Sequence, residues 1–238
     1  MKYGIIVALV ACGLLLCGCK FVKIKDGGIH SSDGGSPVAG NGTVAEKSFD
    51  VNDFSAIKLN VPADVVYEMS GSPSMLVRLD ENLMDLLKVS VEDGVLVIGS
   101  DTPLKRVKKL QIILSSSSLQ ELKCYGAVDF ETKGSVRGER FTLLVSGAAD
   151  VDMDDLDVKE AVFQINGAGD LDIHLSGAER VDLGINGAGD AKLSGRSEAV
   201  AVSVSGAGDV DLSRLDYGRL DKNVSGMGSV KESRKRTL

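Results

Sequence analysis

Residues 165–190 read Ile-Asn-Gly-Ala-Gly-Asp-Leu-Asp-Ile-His-Leu-Ser-Gly-Ala-Glu-Arg-Val-Asp-Leu-Gly-Ile-Asn-Gly-Ala-Gly-Asp. The stretch opens and closes on Asn-Gly-Ala-Gly-Asp, and 20 residues separate Asp170 from Asp190. A fixed period of this length is the mark of stacked structural repeats. The same turn recurs on both sides. Its glycines fall at Gly126, Gly147, Gly167, Gly187, Gly206 and Gly226, in steps of 21, 20, 20, 19 and 20. Two residues before each lies Cys124, Val145, Ile165, Ile185, Val204 or Val224, a column of buried type. Three residues after each lies Asp129, Asp150, Asp170, Asp190 or Asp209, with Ser229 ending the series.

Between the turns the pattern alternates. Leu171, Ile173 and Leu175 point one way, with Asp172 and His174 the other, as in a strand with one wet face. Ser176-Gly177-Ala178 echoes the turn and places a second bend in each unit. Coiling such units stacks each strand in parallel on its equivalent. The expected fold is all-β: a single-stranded parallel β-helix, right-handed by the crossover rule, with ~20-residue rungs and Gly-Ala-Gly-Asp turns. Six rungs at ~4.8 Å give a stem of roughly 29 Å. The glycines are expected to supply positive φ and close stacking. The Asn and Ser residues before them are placed to form side-chain ladders, and each Asp to accept N–H groups of its own turn.

Upstream, residues 46–115 carry short strand signals, a hairpin at Asp93-Gly94, and one helix candidate over 80–87 with Asp80 or Asn82 as its cap. They read as an irregular cap, with the regular repeats over 116–230 and one continuous domain over 46–230. The chain ends in a basic tail, 231–238, with Arg234-Lys235-Arg236. Charge there works against end-to-end stacking.

The first residues are a targeting signal. Lys2 is followed by the apolar run 4–16, too short to span a bilayer. It leads into Leu16-Cys17-Gly18-Cys19, which resembles the bacterial lipoprotein signal, implying removal of residues 1–18 and lipidation (palmitate among the acyl groups) of Cys19. Residues 19–45, rich in Gly, Ser and Asp and holding His30, read as a flexible tether. Anchoring is then to the outer membrane, the head facing the periplasm or the cell surface. With Cys12 and Cys17 removed and Cys19 acylated, Cys124 has no disulfide partner.

Composition narrows the function. A net charge of -7 opposes a nucleic-acid partner, and aromatics at 4% with no Trp leave little to stack sugars on. Cys124 falls in the inward column, His174 has no second histidine in the folded region, and Asp152, Asp154, Asp155 and Asp157 read as a solvated acidic run. The Gly-Ala-Gly of a dinucleotide fingerprint lacks its third glycine, and a phosphate cradle is not repeated six times. No catalytic residue and no cofactor are assigned. The stacked carboxylates Asp150, Asp170, Asp190 and Asp209 are the candidates for a metal, calcium, although their spacing departs from the Gly-x-Asp, nine-residue pattern of calcium-binding rolls.

The turn series, with Phe-Ser-Ala-Ile-Lys-Leu-Asn-Val-Pro-Ala-Asp-Val at 54–65 and Asp-Gly-Val-Leu-Val-Ile at 93–98, resembles the auto-transporter adhesin head GIN domain family. The resemblance spans about residues 46–230. It implies a β-helical domain on bacterial envelope proteins, often lipoproteins of Bacteroidetes-like bacteria, and it brings no catalytic residues. No set of barrel strands follows Val230, so the lipid takes the anchoring role. The expected function is a non-catalytic, lipid-anchored surface-interaction module with a protein or glycan ligand, of undetermined oligomeric state. A carbohydrate-active enzyme or a calcium-stabilised structural module on the same scaffold are the alternatives.

Overall fold

The structure is a computed structural model, and it describes residues 36–233. The signal, Cys19, His30 and Arg234-Lys235-Arg236 lie outside the described residues. What is described is a β-solenoid of about six turns with parallel stacked strands. Long bent strands at Ser135–Val145, Ala148–Ile165, Ala168–Ile185, Ala191–Val204 and Ala207–Val224 lie in parallel, each paired with the next, with register shifts where Ala148–Ile165, Ala168–Ile185, Ala191–Val204 and Ala207–Val224 bend.

The bends show in the burial pattern. In one rung Ala149, Val151 and Met153 are buried, then Leu156 and Val158, then Ala161, Phe163 and Ile165. Side chains alternate with period 2 along a strand, so each change between odd and even marks a corner. This rung therefore has three runs, where the alternation and the second turn set a minimum of two. The inward columns are apolar, for example Val145, Ile165, Ile185 and Val204, all 0% exposed. Two ring pairs, Tyr67 with Phe130 at 6.3 Å and Phe141 with Phe163 at 6.4 Å, lie in the core of the N-terminal rungs. Cys124 is fully buried in its expected inward place.

The N-terminal region is more regular than its sequence suggested. Ala56–Leu59 and Ala63–Met69 pair in parallel with Glu121–Cys124 and Ala127–Lys133, so they form a rung of the solenoid. Val95–Ser100 and Leu110–Ser116 pair in parallel with the other side of that rung. The stacking order is thus not the chain order: the rung at 56–69 is held between the one at 95–116 and the one that starts at 121. Asp53 secures the return, accepting the Ser117 backbone N–H at 3.0 Å and the Ser117 hydroxyl. Among the described residues, antiparallel pairs form only between Val44–Phe49 and Ser74–Asp80, Ser74–Asp80 and Leu110–Ser116, and Leu87–Glu92 and Val95–Ser100, and they close the N-terminal end. The hairpin at Asp93-Gly94 forms as expected, both residues having positive φ, 51° and 76°.

Two local expectations are corrected. Residues 80–87 do not make an α-helix: Glu81–Leu86 is a 3-10 helix, and Asp80 makes no side-chain cap bond to it. The buried Asp80 carboxylate instead accepts N–H groups of Gly42 at 2.6 Å and Lys108 at 2.8 Å, pinning two loops. The tether also ends sooner than residue 45. Val38–Ala39 pairs with Leu104–Lys105, and Val44–Phe49 pairs with Ser74–Asp80. Asn41 donates to Glu81 at 2.9 Å, and its backbone N–H to Asn82 at 3.0 Å. A Gly/Asn-rich stretch reads as flexible until a partner far along the chain takes up its donors.

Candidate functional site

The corner glycines serve one of the two purposes expected of them: they allow close stacking, but they do not supply positive φ. Positive φ among glycines occurs at Gly42, Gly94, Gly134 and Gly195 only among the described residues, and none of these is a corner glycine. The need is steric. A Cβ on Gly187 would lie 1.8 Å from the carbonyl oxygen of Gly167, and one on Gly206 1.8 Å from that of Gly187. The same holds at Gly147 and Gly167, at 2.1 and 2.0 Å. Each corner sits directly on the carbonyl below it, which also accepts the N–H of the following alanine, Ala188 to Gly167 at 2.9 Å.

Beside this spine run the side-chain ladders. Asn186 Nδ2 donates to Asn166 Oδ1 at 3.0 Å, and Ser205 Oγ to Asn186 Oδ1 at 3.2 Å. The aspartates brace the neighbouring rung rather than their own turn. Asp170 Oδ1 accepts the N–H of Asp190 at 2.9 Å, Asp190 that of Asp209 at 2.8 Å, and Asp209 that of Ser229 at 2.9 Å. At Asp190 and Asp209 the strand ladder to the rung before is interrupted, leaving an N–H that its carboxylate takes up, whereas at Ser229 the ladder is continuous.

The first run of successive rungs carries an acidic face. Its column of Asp129, Asp150, Asp170, Asp190 and Asp209 begins one rung earlier than the sequence signal, at Asp64 in register with Asp129. A second outward column holds Glu131, Asp152, Asp172, Lys192, Asp211 and Lys231. Between them runs a groove of about 580 Å³, lined by acids from Asp64 to Asp190 with Lys192 at one end. Burial, then Asp64 and Asp150, raise the Asp129 pKa above its ordinary value. Burial, then Asp172, Asp154 and Glu131, do the same at Asp152. Further along, the Ser213 hydroxyl, Lys231 and the Ser213 N–H push Asp211 down, with Lys231 Nζ 2.9 Å from its carboxylate. The face is repulsive where acids stack on acids and compensated where lysines intervene.

Chemically the face offers negative charge along a line. Among the described residues, no group of three or more His, Cys, Asp or Glu is placed to hold a metal ion. Asp150, Asp170, Asp190 and Asp209 stack one per rung, three of them engaged with the chain's own N–H groups or with the next rung. His174 is exposed, and its Nδ1 lies 3.1 Å from Ser194 Oγ. That contact joins residues 20 apart, so only the register of the repeat reveals it.

With the repeat geometry established, comparison with known proteins is informative. Residues 53–180, and again residues 162–235, match the family described as "Putative auto-transporter adhesin, head GIN domain". The chain belongs to this family. The double match fits a head GIN domain built from one repeated unit. Among solved structures, a "putative adhesin" from Parabacteroides distasonis aligns over 83% of this chain and 100% of its own, at 19% identity and a TM-score of 0.72. A "putative adhesin" from Parabacteroides merdae aligns over 84% and 100%, at 22% identity and a TM-score of 0.57. A "putative lipid binding protein" from Parabacteroides distasonis aligns over 84% and 100%, at 20% identity and a TM-score of 0.58. At these identities the likeness is one of fold. No curated protein matches the sequence.

Proposed function

We propose that this head GIN protein is a non-catalytic, lipid-anchored envelope protein whose solenoid is an interaction surface held outside the outer membrane by the lipid on Cys19. The observation that carries the reading is the acidic face: a repeat-built groove to which Asp64, Asp129, Asp150, Asp170 and Asp190 of successive rungs contribute, which suits an extended contact better than a single reaction centre. Family membership supports adhesion. The Leu16-Cys17-Gly18-Cys19 signal supports the anchor. Labelling cells with a fatty acid tests the latter. Label should enter the wild-type protein and be absent from Cys19→Ser, which should leave the membrane fraction; label persisting in Cys19→Ser refutes the assignment.

One observation favours the carbohydrate-active reading. Asp129 and Asp152 both bind their protons more tightly than usual and line the same groove, as a general acid requires. Both shifts follow first from burial and then from like charges stacked along the columns, a by-product of the repeat. Reducing-end release from a panel of polysaccharides decides the matter. Release abolished by Asp152→Asn would establish an enzyme; no release supports the surface module.

A further inference from the structure

The end of the solenoid away from the N-terminal cap closes in an unusual way. On the last run of the last full rung, Leu220, Lys222 and Val224 register with Val200, Val202 and Val204 of the rung before. Lys222 therefore stands where Leu143, Phe163, Leu183 and Val202 fill the core. Its ammonium lies 2.5 Å from one carboxylate oxygen of Glu232, which follows the final strand Met227–Lys231. The Tyr217 hydroxyl donates to the other oxygen at 3.5 Å. Tyr217 also occupies an inward position, in register with Ser197 and, a rung earlier, Ala178. Groups from three successive runs thus meet over the mouth of the last rung.

Around them lies the material of an interface. Val224 is 39% and Met227 83% exposed, two of the three exposed large hydrophobic residues among the described ones. Among the described residues, 219–224 and Met227–Lys231 each have a strand on one side only, so a row of backbone donors and acceptors faces outward. Such an edge is a template for another chain, and an inward-pointing charge is a known means of blunting it. Arg219 and Asp221 make the edge self-complementary. They occupy the columns of Arg180 and Asp182, which pair with each other at 2.6 Å, yet no ion pair of Arg219 or Asp221 forms among the described residues. An antiparallel pairing about a two-fold axis at Leu220 sets Arg219 opposite Asp221 of the second copy, twice over.

We propose that Lys222, Glu232 and Tyr217 form a polar lid that keeps this end of the head monomeric, and that opening the lid exposes an edge on which a second copy of the chain docks. The full chain in detergent is the material for the test, with wild type expected to sediment as a monomer. Glu232→Lys repels Lys222 without touching the core, and Lys222→Val with Glu232→Val restores the apolar column. In both, the protein mass should rise about twofold as concentration increases. Leu220→Cys, which faces its own copy on the two-fold axis, added to either should form an intermolecular disulfide about tenfold faster than in the wild-type background. Adding Asp221→Arg to Glu232→Lys should return the monomer. Should the double variant misfold by circular dichroism, Glu232→Lys and its Asp221→Arg derivative carry the test alone. Folded variants that stay monomeric, or Leu220→Cys cross-links that form equally fast with the lid intact, overturn the lid. A dimer that survives Asp221→Arg overturns the edge pairing.

Discussion

Replacing Gly187 by alanine should be among the most damaging single changes available to this chain, although the residue is at a surface corner and its φ is ordinary. The added Cβ would stand 1.8 Å from the Gly167 carbonyl oxygen and 2.8 Å from its carbon. A carbon–oxygen contact needs about 3.3 Å, so the two rungs must separate locally by roughly 1.5 Å out of a ~4.8 Å spacing. Three inter-rung bonds are set across that gap: Asn186 N–H to Ile165 O at 2.8 Å, Gly187 N–H to Ile165 O at 3.2 Å, and Ala188 N–H to Gly167 O at 2.9 Å. Weakening them at about 1 kcal/mol each, with overpacking strain of about 1–3 kcal/mol, gives a loss of about 4–6 kcal/mol. That is a large part of the stability of an ordinary domain, about 5–15 kcal/mol. In urea the midpoint should fall by about 1 M or more. Gly177→Ala is the matched control: it sits in the related triplet Ser176-Gly177-Ala178, but nothing lies within 4 Å of its Cβ position. It should be neutral or stabilising by up to about 1 kcal/mol. If the two variants unfold at the same urea concentration, the steric account of the corner column is wrong.

Other outcomes follow from the same geometry. Asp170→Ala removes the acceptor of the Asp190 N–H and should cost about 1 kcal/mol, whereas Asp170→Asn keeps an acceptor and should cost less; excess Ca²⁺ over chelator should leave both midpoints and that of wild type unmoved. Asp152→Asn, by relieving a pKa raised by burial and stacked acids, should raise the urea midpoint at pH 7, and the gain should shrink at high salt and as pH falls through the raised pKa, where the wild-type carboxyl takes up its proton. The acid limb runs the other way. Asp53, held down chiefly by the Ser117 hydroxyl, and Asp80, where burial is outweighed by the N–H groups of Lys108, Gly42 and Lys109, have lowered folded pKa values. Their contribution is present above about pH 4 and lost below it, so acid unfolding of Asp53→Asn and Asp80→Asn should be flatter than that of wild type. Burial pushes the Cys124 thiol up to about 12, so alkylation at pH 8 should proceed only at the rate of unfolding.

The readable part of the sequence was the part in which a physical constraint repeats. From Gly126 onward each corner rests on a carbonyl, so the glycine cannot vary and the period is visible. At the first corner Val61 occupies the equivalent place, two residues after Leu59, which registers with Cys124. The Gly126 Cβ position is 2.4 Å from the Val61 carbonyl oxygen, so the constraint begins with the rung above, and Val61 itself, buried, obeys none. That rung was consequently read as cap. Its true place was further hidden by the excursion through 70–116, whose strands insert beneath it in reverse of the reading order. The acidic column was legible, but its alternation of repulsion and compensation was not, because that depends on Glu131, Asp152, Asp172, Lys192, Asp211 and Lys231 sharing one column. The Lys222–Glu232 pair escaped notice because a lysine ten residues from a glutamate in a charged tail has no period to betray it.

The account stands or falls on where the head is displayed. Intact cells carrying the wild-type protein should be treated with an external protease, with a periplasmic protein followed as control. The account predicts that the head is cut or released while the periplasmic control survives, and that cells carrying Cys19→Ser show no surface-exposed head. A head that stays protected until the outer membrane is opened would place it in the periplasm and contradict a role in contact with surfaces outside the cell.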